Sequence, residues 1–453
     1  MSKCRRVLGF LPLIALLLLL IGVVPVLGQD EVTLTVALPG HHAARVAVVE
    51  EQVDEFVAVK AAEGVTVNVE LVQSAMSDTD YQTQLALDFG AGVGPDVYAI
   101  DSFWIPQFAE SGYALPLDDR LAEWEEWAAF FPGMQDIGKY NDQTYAVMTD
   151  TDVRMLWYRK DIFEQAGLPV PFEPQSWQDI FDAAAAIKEN VPDVWPIAFQ
   201  AGTPWGEGTT MQGFYMWFLG AGGQLYDFED SKWVVDSPAL RQALQIYEDM
   251  FVTNEYAPVE PFLESQPWIG IEQVLFHDGQ VAMMTNGSWM WGGAYGPEGA
   301  APLENRDEVI GWAPMPAMEP GAGLNGQDFV SISGGWAWSL NPASDNPDLA
   351  WEFVQYVTSA EEIGRLNTAL QNVVTREDAM VSGDDPYLAD ASAAVMPFTT
   401  FRPALPEYNQ VSSELQLATE RIITGEATAE EALEMFGQAV EEIVGAENVK
   451  RIE

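Results

Sequence analysis

The chain has a single cysteine, Cys4, in 453 residues. That excludes a disulfide framework and any zinc site built on thiolates. Basic residues are also scarce. Lys and Arg number 20 against 69 Asp and Glu, a formal charge of −49 at pH 7. Binding a phosphate backbone takes clustered Lys and Arg, so nucleic-acid binding is excluded as a function class. Docking on anionic lipid headgroups is disfavoured for the same reason. The only histidines are His41, His42 and His277. None makes HExxH, and adjacent histidines rarely ligate one ion, so no metal is expected. A P-loop, an EF-hand loop and a GxSxG elbow are absent. Gly90-Ala91-Gly92-Val93-Gly94 lacks the last glycine of GxGxxG and runs from helix to strand, which makes it a turn. No cofactor is expected. With 69 acidic residues, a glycosidase-type carboxylate pair stays open as an alternative.

What is present begins with an export signal. Lys3, Arg5 and Arg6 precede an uncharged stretch from Val7 to Leu27, and Val26-Leu27-Gly28 offers a cut before Gln29. Residues 1–28 therefore read as a signal peptide. The stretch is also long enough to span a bilayer uncleaved, although Pro12 and Pro25 argue for cleavage. Cys4 lies before the apolar run, so it is not a lipoprotein cysteine. Apolar residues make up 48% and charged residues 20%, the composition of a folded globular chain. Its length suggests two or three domains. The acidic residues are spread out, as in Glu50-Glu51 and Glu441-Glu442, which describes a solvated acidic surface.

The first third reads βαβαβ. Val32, Leu34, Val36 and Leu38 alternate as a strand, and Val49, Val53, Phe56 and Val57 recur at helical spacing. Val65–Leu71 is a second strand, Leu85 and Phe89 mark a helix, and Asp96–Ile100 is a third strand. Parallel strands with right-handed crossovers follow, and such sheets bind ligands beyond the carboxyl ends of their strands. Further strands are expected at Tyr145–Met148, Val153–Tyr158 and Val281–Thr285. Helices are expected after Ser176, Ser237-Pro238 and Asn346-Pro347, and Ser359…Glu362 and Thr428…Glu431 fit the capping box.

Tryptophan is the informative excess, with 16 Trp against 14 Tyr. Several stand at strand ends or near glycine: Trp104, Trp205 before Gly206, Trp289 after Gly287, and Trp336 after Gly335. A flat indole next to glycine is presentable to a cleft, where the C–H face of a sugar stacks on it. Core packing is the competing reading for each ring.

Several segments carry a family resemblance. They are Gly92-Val93-Gly94-Pro95-Asp96-Val97 and Phe108–Gly112, then Leu156–Asp161 with Ser176-Trp177. Phe276–Met283 and Ser333-Gly334-Gly335-Trp336 follow in the same order and spacing. Together they resemble the extracellular solute-binding proteins of ABC sugar importers, of the maltose and trehalose type. The resemblance implies an α/β, two-lobed periplasmic-binding-protein-like fold (type II) with a ligand cleft between the lobes. It places 29–147 with 285–334 in an N-terminal lobe, and 148–284 with 335–453 in a C-terminal lobe. Crossings are expected near Tyr145–Thr149 and Met284–Asn286, with a return near Gly334–Trp338.

The function it implies is capture of a sugar outside the cytoplasm by a monomer and delivery to a membrane permease powered by a separate ATPase, with no chemistry. A non-sugar solute such as a polyol, polyamine or peptide is the other alternative. Site residues carried over are Asp101 and Arg402 for hydroxyls, Asp150 at the matching position just after the first crossing, and Trp289 and Trp336 for stacking. His42 stands where relatives often have an acid. Trp104, Asp152 and Trp205 join the set by position alone.

Overall fold

The computed structural model describes residues 32–74, 77–297, 299–381 and 385–452. The signal peptide expected at 1–28 lies outside the described residues. In chain order the strands that position the site are β1 (Val32–Pro39), β2 (Val67–Ser74), β3 (Val97–Asp101), β4 (Ala146–Met148), β5 (Arg154–Arg159), β6 (Trp195–Ala198), β7 (Val281–Gly287), β8 (Ile310–Ala313) and β9 (Trp336–Leu340). The helices needed are α1 (Ala43–Ala62), α2 (Asp78–Ala91) and α3 (Tyr408–Ile423).

The alternation of β1 and the helical period of α1 produce the expected βαβαβ unit. β1 runs parallel to both β2 and β3, with Leu34, Val36 and Leu38 fully buried. Gly92, in the glycine-rich turn, ends α2 in the left-handed conformation at φ 73°, which glycine adopts without a Cβ penalty. The sheet is completed from far along the chain, in the order β2-β1-β3-β9-β4, with β9 antiparallel to β3 and to β4. A second sheet has the order β8-β5-β7-β6. The Ser176 and Thr428 caps form complete capping boxes with Asp179 and Glu431. Ser359 makes no side-chain cap; Glu362 instead accepts from Gln52 and pairs with Arg365. Among the described residues no helix is long and apolar enough to cross a membrane.

The lobe boundaries differ from the expectation. All seven residues of β7 are buried, between β5 and β6 in the second sheet. The chain therefore does not cross at Met284–Asn286. Met290, Tyr295, Ile310 and Ile332 belong to the core of the second lobe, while Trp336–Val357 return to the core of the first. Residues 285–334 thus pack with the second lobe. The stretch from Trp336 to Val357 packs with the first, and Tyr387 to Val449 lies again in the second. The physical reason is that a β7 bonded on both edges is a central strand, whose removal would open that sheet.

Three connectors join the lobes and are bonded to one another. Thr149 N donates to Trp336 O at 2.8 Å, Thr151 Oγ1 donates to Gly334 O at 2.9 Å, and Thr151 and Val373 exchange two backbone bonds of 3.0 and 2.9 Å. Connectors of this kind absorb hinge motion in two-lobed proteins.

Candidate functional site

The carboxyl ends of β1 and β3 and the start of β9 define one edge of the first lobe. Asp101 ends β3 and stands in register with Trp336 of β9. Its carboxylate caps the turn Ser102–Trp104 and accepts from Arg402 Nη2 at 2.9 Å. Arg402 follows strand Thr399–Thr400, which pairs with Phe329–Ile332 of the second lobe. The Asp101–Arg402 pair therefore bridges the lobes. Arg402 also reaches Ser102 Oγ at 3.2 Å and Glu207 Oε1 at 3.3 Å, and lies 4.1 Å from the Phe103 ring centroid. Asn409 on α3 donates to Gln107 of the first lobe at 2.6 Å. The lobes touch along this line, so the cleft is closed there.

Burial shapes the charges. It raises the Asp101 carboxyl, Arg402 pulls it back, and the nearby carboxylates of Asp78, Glu207 and Asp152 raise it again, to about 6. Burial works against the charge on Arg402, but Asp101 and Glu207 more than restore it, holding the guanidinium above its ordinary value. Burial also raises Asp152 against the pull of Arg154, and raises Glu272 to about 7 against a bond from Asn286.

The other expected residues fall into four groups. His42 precedes α1, with its ring edge-on to Trp336 at 4.9 Å. Burial lowers its pKa. Asp150 and Asp152 lie in the hinge. Asp150 accepts from Arg45 at 2.8 Å, Thr149 at 2.7 Å and Asn372 at 3.0 Å, and is 1% exposed. Asp152 pairs with Arg154 and accepts from Gly334 N at 3.1 Å. Both carboxylates are taken up by hinge partners. Trp104 is 1% exposed within the first core, between Tyr81 and Trp336. Its expected place in the cleft is corrected: the ring is packed into the core among Tyr81, Phe103 and Trp336 and has no free face for a ligand. Trp336 is 8% exposed in the same cluster, at the edge nearest the hinge.

Trp205 and Trp289 remain half-buried on the second lobe. Each ring lies over a neighbouring glycine. A Cβ on Gly208 would meet Trp205 at 2.2 Å, and one on Gly287 would meet Trp289 at 1.8 Å. Glycine is what lets these indoles lie flat on their own backbone. Arg154 stands over Trp289 at 5.0 Å.

Sequence reasoning missed Arg45, Arg154, Glu207, Asp78, and Tyr408, whose hydroxyl donates to Glu207 Oε1 at 2.7 Å. Three of them stand beside expected residues: Arg45 three after His42, Arg154 two after Asp152 and Glu207 two after Trp205. The rest come from positions far apart in the chain.

A profile of the bacterial extracellular solute-binding proteins matches residues 42–363. The chain belongs to this family. Such solute-binding proteins serve ABC transporters, binding a small molecule for a membrane permease, and are not enzymes. The solute-binding protein is 26% identical, over 77% of its length and 80% of the relative's, to a probable ABC transporter-binding protein of Deinococcus radiodurans. It superimposes on the GacH receptor of Streptomyces glaucescens, solved unliganded and with acarbose. The identity is 25%, the TM-score 0.75, and the coverage 93% of this chain and all of that one. A solute-binding protein of Thermotoga lettingae bound with α-D-tagatose is 26% identical, with a TM-score of 0.72 over 91% of this chain and all of the other.

The raised carboxyls predict a pH dependence. Asp101, Glu272 and Asp152 hold protons more tightly folded than unfolded, where carboxyls titrate near pH 4. Between those values the folded state binds more protons, so stability falls as pH rises through the window. His42, lowered by burial, works the other way, as one group against three. Relief of self-repulsion at a charge of −49 adds to the acid side. Below the window, Glu55 and Asp378, held down by Arg365 and Arg376, lose their contribution. The melting temperature is expected to rise by a few degrees from pH 8 to about 5 and to fall below about 4. A flat or inverted profile in calorimetry across that range would contradict the assignment.

Proposed function

We propose that this solute-binding protein captures a neutral sugar, a mono- or oligosaccharide, outside the cytoplasm and hands it to its permease as a monomer. In this reading residues 1–28 direct export and are removed. The observation that carries the proposal is the pair of half-buried indoles, Trp205 and Trp289, laid flat over Gly208 and Gly287 on the second lobe. A flat, uncharged aromatic face suits the C–H face of a pyranose. Hydroxyls need paired donors and acceptors, and Asp101, Arg402, Glu207 and Ser102 supply them around the line where the lobes meet. The acarbose and tagatose held by the two relatives agree with this class of ligand.

Closure is favoured only by contacts that the open form lacks. The Asp101–Arg402 pair is one such contact, and a bound sugar touching both lobes would add others. A thermal-shift screen over sugars, polyols and amines identifies the ligand, because a tight one raises the melting point. Trp289→Ala and Trp205→Ala should then each weaken binding at least about tenfold, or about 1.4 kcal/mol. Calorimetric titration showing unchanged affinity in both variants, or a melting shift from amines alone, would overturn the sugar reading.

A further inference from the structure

His41 and His42 follow the end of β1, and Asp78 opens α2 after its cap Ser77. The βαβ crossover brings these helix starts to the same sheet edge. His41 Nε2 lies 3.2 Å and His42 Nε2 3.1 Å from one and the same atom, Asp78 Oδ1. The donor atoms all fall within 4.8 Å of one another. Asp78 Oδ1 is itself enclosed and accepts no well-formed hydrogen bond among the described residues. The Asp78 side chain as a whole is 45% exposed, so water reaches its other oxygen. The enclosed oxygen, left without an aligned donor, favours an ion or a water. Here two imidazole nitrogens face it at contact distance without aligned N–H groups.

Against the expectation from two adjacent histidines, we propose that His41, His42 and Asp78 form a three-donor site for a divalent transition ion of the zinc class at the lip of the cleft. Two imidazoles and one carboxylate are the donor set of open zinc sites, which keep a fourth position for water or another ligand. Calcium and magnesium sites are built from oxygens and do not recruit paired imidazoles. The ion would satisfy the stranded oxygen and both nitrogens at once. The positive helix starts of α1 and α2 oppose it, an effect offset by the Asp78 charge and the acidic surface.

The location gives the site a consequence. His42 touches Trp336, and Thr79, next to Asp78, faces the second lobe, where a Cβ on Gly206 would lie 3.3 Å from its hydroxyl. An ion here would tie the starts of α1 and α2 together beside the seam on which the lobes close. The site does not depend on which solute fills the cleft.

The test uses the whole protein, purified without a polyhistidine tag, stripped with EDTA and titrated with ZnCl2 in millimolar MgCl2 to occupy scattered carboxylates. One zinc per chain is expected by calorimetry and metal analysis. His42→Ala and Asp78→Asn should each lower its affinity at least about tenfold, and His41→Gln should do the same with little effect on folding, since His41 is exposed. His277→Ala, remote from the cluster, should bind as the parent does. No uptake above the magnesium background overturns the proposal. So does uptake unchanged in the three site variants, or lost in His277→Ala.

Discussion

Arg402→Ala is expected to disfavour the closed form by about 3–5 kcal/mol, the cost of leaving buried charges without their partner. Arg402 is 9% exposed and satisfies carboxylates from both lobes, Asp101 at 2.9 Å and Glu207 at 3.3 Å. It also covers the Phe103 ring. Without the guanidinium, Asp101 regains hydration only when the lobes part. Small-angle scattering should show a larger radius of gyration in the unliganded variant. Ligand affinity should fall at least about tenfold, because the ligand must drive closure unaided. Arg402→Lys should be intermediate, since one ammonium does not reproduce the planar fork. Adding Asp101→Asn to Arg402→Ala should recover part of the loss, as coupled neighbours do. Identical scattering and affinity in Arg402→Ala would show that this pair does not hold the lobes.

Gly335→Ala should destabilise the protein by about 3 kcal/mol or more, summing strain at a left-handed residue with a backbone collision. Gly335 has φ +141°, and a Cβ there would come 2.1 Å from the carbonyl oxygen of Asp150. Both residues lie in hinge connectors, and backbone does not yield as a side chain does. Gly335 O also accepts from Ser102 N at 3.1 Å, which ties the hinge to the turn after Asp101. The neighbouring Gly334 is the control. A Cβ there would meet Arg402 Nη2 at 2.8 Å, a side-chain atom that can give where a carbonyl cannot, though at the expense of its bond to Asp101. Gly334→Ala should therefore cost less than Gly335→Ala, about 1–3 kcal/mol. Equal effects of the two substitutions in denaturant unfolding would contradict the geometric argument.

Parts of this were legible in the sequence for local reasons. The alternation in β1, the Ser176 and Thr428 caps and the Gly92 turn depend on neighbours within a few residues, and they form as read. Ser359 fails as a cap because Glu362 is drawn to Gln52, 310 residues away, and to Arg365. β7 was legible as a strand, but its lobe was not. An apolar run gives the period of a strand and not the identity of its neighbours. Asp101 and Arg402 were both expected near the ligand, yet their direct pairing, 301 residues apart in the chain, was not. Trp104 and Trp336 looked alike in sequence to Trp205 and Trp289. The turn after β3 and the pairing of β9 sent the first two into or against the core, while glycine backing kept the other pair at the surface of the second lobe.

The sequence by itself determined an acidic globular chain with α/β elements, no nucleotide or thiolate motif, and indoles set beside glycine. Those properties follow from composition and short-range pattern. Only the tertiary structure decided which segments cross between lobes, that Arg402 bridges to Asp101, that Asp150 and Asp152 are held by the hinge, and that Asp78 meets two histidines. Each of these is a contact between distant segments, set by strand order and crossover, and a one-dimensional pattern holds no record of which distant segment arrives at a given edge.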